Sequence, residues 1–91
     1  MAHAGASSSS DAIAAAKESL GSSLRAQRAE AQLRLIDVAG PLGISPGYIS
    51  DVERGLKLPS LEMLLHLAEA LDTTVVDLLA GRSPWGRKLR P

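Results

Sequence analysis

The chain has 91 residues, 45% of them hydrophobic, and its ten basic and ten acidic residues give a formal net charge of zero. A chain of this length forms one domain with one modest core, which must be aliphatic because Phe is absent and Trp and Tyr each occur once. The absence of cysteine excludes disulfides and thiolate zinc sites. The start does not resemble a secretory signal, and no stretch approaches the roughly 20 apolar residues that span a membrane. The sequence therefore predicts a soluble, cytoplasmic protein with no membrane partner.

The two ends of the chain differ in composition from the middle. Residues 1–9 are small and polar, with a serine run that offers nothing to bury, which predicts a disordered tail. Residues 81–91 are rich in Gly, Pro and basic side chains, and no acid follows Asp77. Three interpretations of this basic segment stay open: a cover over a partner subunit, an arm that contacts DNA phosphates, or a disordered end. The sequence therefore predicts that residues 10–80 form the folded domain.

The first two predicted helices differ in length. Spaced apolar residues predict a long helix over residues 10–31. Gly21 lowers the stability of this helix by about 1 kcal/mol relative to Ala and can divide it into two pieces. A short second helix is predicted over Leu35–Leu42, because Gly43 can adopt the left-handed conformation that ends a helix. Pro41 lies inside this helix, where it removes one hydrogen bond at a cost of ~3 kcal/mol, so we expect a kink or early unwinding there.

The remaining helices are predicted from their starts. Ser45–Pro46 supplies a capping serine and a proline at the first helical position, and Gly55 ends this third helix. Pro59–Ser60 begins the fourth helix, and Thr74 followed by Asp77 predicts a capping box for a short fifth helix. The fourth helix has two apolar stripes. The inward stripe is predicted to be Leu61, Leu64, Leu65, Ala68 and Leu71, while Met63 and Leu67 form a second stripe that serves either core packing or dimerisation.

The segment Leu35–Arg54, LIDVAGPLGISPGYISDVER, carries the main structural signal. Two short helices joined by a glycine turn must pack at close range, which requires a small residue at the crossing, Gly at the turn and apolar residues in the wedge between the helices. Every one of these positions complies: Ala39 at the crossing, Gly43 at the turn, and Val38, Leu42, Ile44, Ile49 and Val52 in the wedge.

The run GISPGYISDVERGLKLPSLEMLLHLAEAL is similar to the Cro/phage-repressor (XRE) family of helix-turn-helix domains, and the resemblance extends over Leu20–Leu79. It implies an all-α, five-helix, repressor-like DNA-binding domain over residues 10–80, with helices 2 and 3 as the helix-turn-helix. It also implies a homodimer on a pseudo-palindromic operator in double-stranded DNA, with the third helix in the major groove and half-sites ~34 Å apart. The implied function is sequence-specific transcriptional regulation, with repression as the expected mode.

The resemblance assigns base-facing residues to the start and outer face of the third helix. Asp51 can accept a hydrogen bond from a cytosine amino group, or it can remain a solvated charge. Tyr48 can touch a thymine methyl group, or it can pack at the helix surface. Base reading is expected to be sparse, because Arg, Lys, Asn and Gln, which read guanine and adenine best, do not occur in this set. The whole set is Pro46, Gly47, Tyr48, Ser50 and Asp51.

Phosphate contacts are expected beside the starts of helices 2 and 3, whose backbone amides favour anions; the residues are Arg34, Ser45, Arg54 and Lys57. The family often has Thr or Ser followed by Gln where this chain has Arg34 and Leu35, so Arg34 takes over the usual glutamine contact. Arg28 and Glu53 match a family pair that joins helix 1 to helix 3 through a largely internal salt bridge, and they are assigned a structural role. The alternative is two independent surface charges.

The sequence does not indicate an enzyme. His3 lies in the predicted tail, and His66 lies between Glu62 and Glu69 on a helix face that is expected to be solvated, so neither a catalytic triad nor a metal site is predicted. No Gly-rich phosphate loop precedes a helix, and no cofactor is expected. A different function remains open: the same fold can serve as a protein-interaction module, for example one that binds a partner in the manner of an antitoxin, with weak or no DNA binding. Zero net charge and the sparse base-reading set favour this alternative.

Overall fold

The structure, a computed structural model, describes the backbone of residues 2–82 and the side chains from Ser9 onward. Five helices follow one another without a strand in this range: α1 (Ala2–Glu30), α2 (Leu35–Leu42), α3 (Pro46–Glu53), α4 (Leu61–Ala70) and α5 (Val75–Ala80). None of the helices described combines the length and the hydropathy that crossing a membrane requires. Residues 83–91, and with them most of the basic segment and its three interpretations, lie outside the described residues.

The short helices begin at the residues that capping chemistry predicts. Ser45, Ser60 and Thr74 are the N-caps of α3, α4 and α5, and each side-chain oxygen accepts a hydrogen bond from the backbone N–H three residues later, at 3.1 Å. Gly43 ends α2 in the left-handed region with φ 68°. These predicted boundaries are confirmed, because the capping bond is local and depends on few neighbours.

The structure differs from the sequence-based expectations in α1 and α2. Residues 2–9, for which composition predicts disorder, continue α1; they contain several alanines and no proline, so nothing in them prevents the helix from extending. Gly21 does not divide α1, which is one helix up to Glu30. Early unwinding at Pro41 is wrong as well, since α2 continues through Leu42. Pro41 removes one intrahelical bond, but the last turn of α2 is closed by bonds from the N–H groups of Gly43 and Ile44 to the carbonyls of Gly40 and Ala39.

Gly21 is explained by a close backbone approach. A Cβ at this position would lie 2.6 Å from the carbonyl oxygens of both Val52 and Glu53, a distance that real Cβ atoms do not show. The C-terminal end of α3 therefore lies directly against the backbone of α1. The conformational cost of glycine in the helix is offset by a helix contact that no other residue permits.

The core lies between α1 and the four shorter helices, and its buried apolar residues come from every helix: Leu20, Leu24, Val38, Ala39, Ile49, Val52, Leu64, Leu67, Ala68 and Leu78, with Leu71 just after α4. One expectation for α4 is wrong. Leu61 and Leu65, predicted to face inward, are 66% and 56% exposed, while Leu67 is fully buried and cannot form a dimer contact. Met63 packs against the core. Leu64, Leu67, Ala68 and Leu71 satisfy helical spacing equally well, so periodicity alone does not select between the two faces.

Gly21→Ala is expected to lower the free energy of unfolding by about 2 kcal/mol, because the new methyl group meets backbone carbonyls that cannot move without shifting α3. Gly47→Ala is the matched control: it is also an exchange within a helix, but its Cβ would meet only Ser45 Oγ, at an ordinary contact distance of 3.8 Å. This control should be neutral or stabilising by about 0.5–1 kcal/mol. Urea unfolding measures both variants, and a stabilised Gly21→Ala would contradict the close approach.

Candidate nucleic-acid interface

α3 has an inward and an outward face. Ile49 and Val52 are fully buried in the core. Gly47, Ser50 and Asp51 lie on the opposite side at helical spacing, and Gly47 is exposed while the other two are partly exposed. Pro46, at the start of α3, is partly exposed as well, and Tyr48 is partly buried and packs against the core, as the packing alternative for this residue expects. The five predicted base-facing residues thus lie on one short helix, and all of them are accessible to solvent.

Arg28 and Glu53 connect α1 to the last residue of α3. Arg28 Nε donates to Glu53 Oε2 at 2.6 Å and Arg28 Nη2 donates to Oε1 at 3.0 Å, so the pair is bidentate. Arg28 Nη1 donates to the Leu33 carbonyl at 2.8 Å, which also connects the pair to the loop before α2. The two side chains are only 18% and 6% exposed. The hydrogen bond and the charge of Glu53 raise the pKa of the Arg28 guanidinium, which stays charged.

Four of the predicted site residues form one network around Asp51, which we call the Asp51 cluster: Tyr48, Asp51, Arg54 and Lys57. Arg54 Nη2 donates to Asp51 Oδ1 at 2.7 Å, and Lys57 Nζ lies 3.3 Å from Asp51 Oδ2. The same Lys57 nitrogen lies 5.4 Å from the centre of the Tyr48 ring, within cation–π distance. Hydrogen bonds from Lys57 and Arg54 hold the pKa of Asp51 below its ordinary value.

The start of α2 contains a second ion pair, and sequence reasoning missed its acid. Asp37 accepts a hydrogen bond from the backbone N–H of Arg34 at 2.7 Å, and its two oxygens accept from the Arg34 guanidinium at 3.0 and 3.1 Å. These bonds hold the pKa of Asp37 below its ordinary value. The i to i+3 spacing of the two residues on a predicted helix start was the available signal. Arg34 itself is 79% exposed, so its guanidinium is accessible to a phosphate.

The remaining predicted phosphate contact, Ser45, is exposed and caps α3. Its oxygen accepts the Tyr48 N–H at 3.1 Å, and a hydroxyl that accepts a hydrogen bond can still donate one to an anion. His66, Glu62 and Glu69 are exposed side chains of α4. No group of three or more potential metal ligands occurs within the described residues.

The structure places the five predicted base-facing residues on α3, and Arg34 and Ser45 at the starts of α2 and α3. Arg54 and Lys57 lie at the C-terminal end of α3 and not beside a helix start, so that part of the expectation is wrong.

A short helix, a left-handed glycine turn and a second short helix with an accessible outer face define a helix-turn-helix protein. The chain belongs to the family described as Helix-turn-helix domain, whose model matches residues 19–80. The match covers the helix-turn-helix and the helices that support it, and the resemblance to XRE-type domains and the all-α, five-helix fold class are confirmed.

The curated relatives are regulators. The chain is 51% identical over 63 residues to the HTH-type transcriptional regulator DdrOP3 of Deinococcus deserti, in a match that covers 69% of this chain and 49% of the relative. It is 43% identical over 51 residues to an HTH-type transcriptional regulator of Mycobacterium tuberculosis, which covers 56% of this chain and 36% of that protein. The chain thus spans half or less of the length of these relatives.

A solved structure shares the fold. The crystal structure of the clp gene regulator ClgR from Corynebacterium glutamicum is similar to this chain with a TM-score of 0.69 and 40% sequence identity. One such comparison covers 71% of this chain and 83% of the ClgR chain. At this identity the likeness extends beyond the fold to the family.

Glu53→Gln is expected to lower the free energy of unfolding by about 3 kcal/mol, because it leaves the guanidinium of Arg28 largely buried without a counter-charge. Replacing both partners with apolar residues, Arg28→Met with Glu53→Leu, should recover part of this loss. Arg25→Met, an exposed position on the same helix, should change stability by less than about 0.5 kcal/mol. Urea unfolding of the wild type and the three variants tests the ion pair. Similar small losses of unfolding free energy for Glu53→Gln and Arg25→Met would mean that the ion pair contributes little to stability.

Lys57→Met is expected to raise the pKa of Asp51 toward its ordinary value, because the hydrogen bond from Lys57 is the main cause of its depression. NMR titration of the side-chain carboxyl carbons measures this shift. Asp37, whose pKa is set by Arg34, serves as an internal control and should titrate as before. An unchanged Asp51 titration would show that the contact with Lys57 is not populated in solution.

Proposed function

We propose that this protein is a sequence-specific, DNA-binding transcriptional regulator that acts in the cytoplasm as a homodimeric repressor on a pseudo-palindromic operator. The main support is the placement of α3, whose inner face is fully buried while its outer face is accessible from Gly47 to Asp51. In the helix-turn-helix mode this outer face enters the major groove. The relatives named as transcriptional regulators are consistent with a binding protein rather than an enzyme.

Under this proposal the residues divide into two roles. Pro46, Gly47, Tyr48, Ser50 and Asp51 meet base edges, and Arg34, Ser45, Arg54 and Lys57 contact phosphates. The phosphate set supplies affinity that falls with salt, and the base set supplies sequence choice. Arg28 and Glu53 do not touch DNA in this scheme; they fix the end of α3 against α1.

A second candidate is favoured by a specific observation. Each of the three cations in the proposed phosphate set is engaged with an acid of its own chain: Arg34 with Asp37, and Arg54 and Lys57 with Asp51. A surface whose charges are compensated in this way suits a protein partner better than a bare polyanion. The alternative function is therefore a protein-interaction module, antitoxin-like in its partner binding, with weak or no DNA binding.

Selection of bound DNA from a random pool at moderate salt, with the full chain, distinguishes the two functions. The regulator should enrich a palindrome with half-sites about one helical turn apart. Arg34→Ala and Arg54→Ala should each weaken binding to the selected site and reduce the slope of log affinity against log salt by about 0.9, the value for one phosphate contact on duplex DNA.

Arg25→Ala removes the same charge from α1, outside the proposed interface, and should leave the affinity for the selected site and the salt slope nearly unchanged. The interaction module predicts a folded protein that enriches no sequence and is indifferent to Arg34→Ala and Arg54→Ala. A selected site without two-fold symmetry would contradict the homodimer while leaving DNA recognition in place.

A further inference from the structure

The outer face of α3 carries an acid at its centre, where a DNA-binding surface would be expected to be basic. Asp51 uses both carboxylate oxygens, Oδ1 for Arg54 at 2.7 Å and Oδ2 for Lys57 at 3.3 Å. Its side chain is 28% exposed, whereas those of Arg54 and Lys57 are 59% and 52% exposed. The two cations are thus accessible to a phosphate, but one carboxylate already engages both of them.

Phosphate binding by Arg54 and Lys57 has a consequence for Asp51. If both cations turn to the DNA backbone, the carboxylate is left without a cation close to a polyanion, which is unfavourable unless another donor reaches it. The major groove offers two amino donors, those of cytosine and adenine. A carboxylate pairs with the cytosine amino group, because the adenine amino group lies beside the N7 acceptor, which repels a carboxylate. At a base pair without a cytosine amino group in reach, Asp51 keeps its two cations and the phosphate contacts are weakened.

We propose that Asp51 couples base recognition to phosphate binding, releasing Arg54 and Lys57 to the DNA backbone only where a cytosine amino group takes their place on its carboxylate. This inference rests on the proposed DNA-binding function and assigns a specificity mechanism to the same site. It predicts weak binding to arbitrary DNA, because the phosphate contacts of the Asp51 cluster form fully only at the correct site. Tyr48 belongs to the exchange as well, since Lys57 leaves its ring when it moves to a phosphate.

Asp51→Asn tests the coupling, because it removes the charge at nearly constant size. Binding of the full-length variant to random-sequence duplex should strengthen about tenfold, and its salt slope should steepen by up to about 1.8, the value for two added phosphate contacts. The affinity ratio of selected to random DNA should fall at least about fivefold, the lower end of what one base contact contributes. In the selected pool, the cytosine at one position of each half-site should disappear or be replaced by adenine, which Asn prefers.

Two variants with the same change of net charge serve as controls. Asp37→Asn releases Arg34 in the same way but lies on α2, so it should strengthen binding to random and selected DNA alike and leave the selected sequence unchanged. Glu69 is exposed on α4, and Glu69→Gln should alter neither the binding strength nor the selected sequence. Asp51→Ala serves as a second test that introduces no new base reader: it should lose the cytosine preference without gaining one for adenine.

The outcomes separate this inference from the proposed function. If the wild-type protein selects a site, but Asp51→Asn and Asp51→Ala keep the same cytosine preference and selectivity, the coupling is wrong and the regulator stands. Stronger binding to random DNA with the cytosine preference retained would also overturn it, since Asp51 would then act only as a repulsive charge. A folded wild-type protein that selects no DNA overturns the proposed function and the coupling together.

Discussion

The position of α3 is set by its C-terminal end, which is fixed to α1 in two different ways. At Gly21 the two backbones approach so closely that no side chain fits between them. Glu53, whose carbonyl oxygen takes part in that approach, also forms the bidentate pair with Arg28, a charged contact whose partners are both largely buried. A steric contact fixes distance and a bidentate pair fixes orientation. With the end of α3 held in this way, the burial of Ile49 and Val52 leaves a single face of α3 for solvent and for a ligand.

The electrostatics of that face arise from local pairing and not from net charge. The chain has equal numbers of acidic and basic residues, and beside α2 and α3 they pair at short spacing, Arg34 with Asp37 and Arg54 with Asp51. Exposed pairs of this kind contribute little to stability, so their cost to the fold is small. Their effect on a charged ligand is larger, because a phosphate must compete with a carboxylate that is already in place. Such a surface favours selectivity over general affinity for nucleic acid.

Local chemistry made the helix starts and the helix-turn-helix predictable from the sequence, because a capping serine, a glycine turn and a wedge of apolar residues involve few neighbours. Tertiary relations were not predictable in the same way. Gly21 suggests a weak helix until the carbonyls of α3 are known to lie against it. The buried face of α4 was predicted only in part: Leu64, Ala68 and Leu71 are buried, but Leu67 takes the inward place expected for Leu61, because only the neighbouring helices select between two apolar stripes. Asp37 was missed although its spacing from Arg34 was visible.

The contact between Asp51 and Lys57 shows why the candidate site was only partly predictable, because helical spacing does not describe it. α3 ends in a Schellman motif, in which the N–H of Leu56 bonds to the Asp51 carbonyl at 2.9 Å and Gly55 takes φ 75°. This turn reverses the chain beside α1 and returns Lys57 to the outer face of α3. Residues 53–57 therefore combine both functions of the helix end: Glu53 fixes α3 to the scaffold, and Arg54 and Lys57 set the charge of its outer face. A change in this turn would consequently alter the position of α3 and the state of Asp51 together.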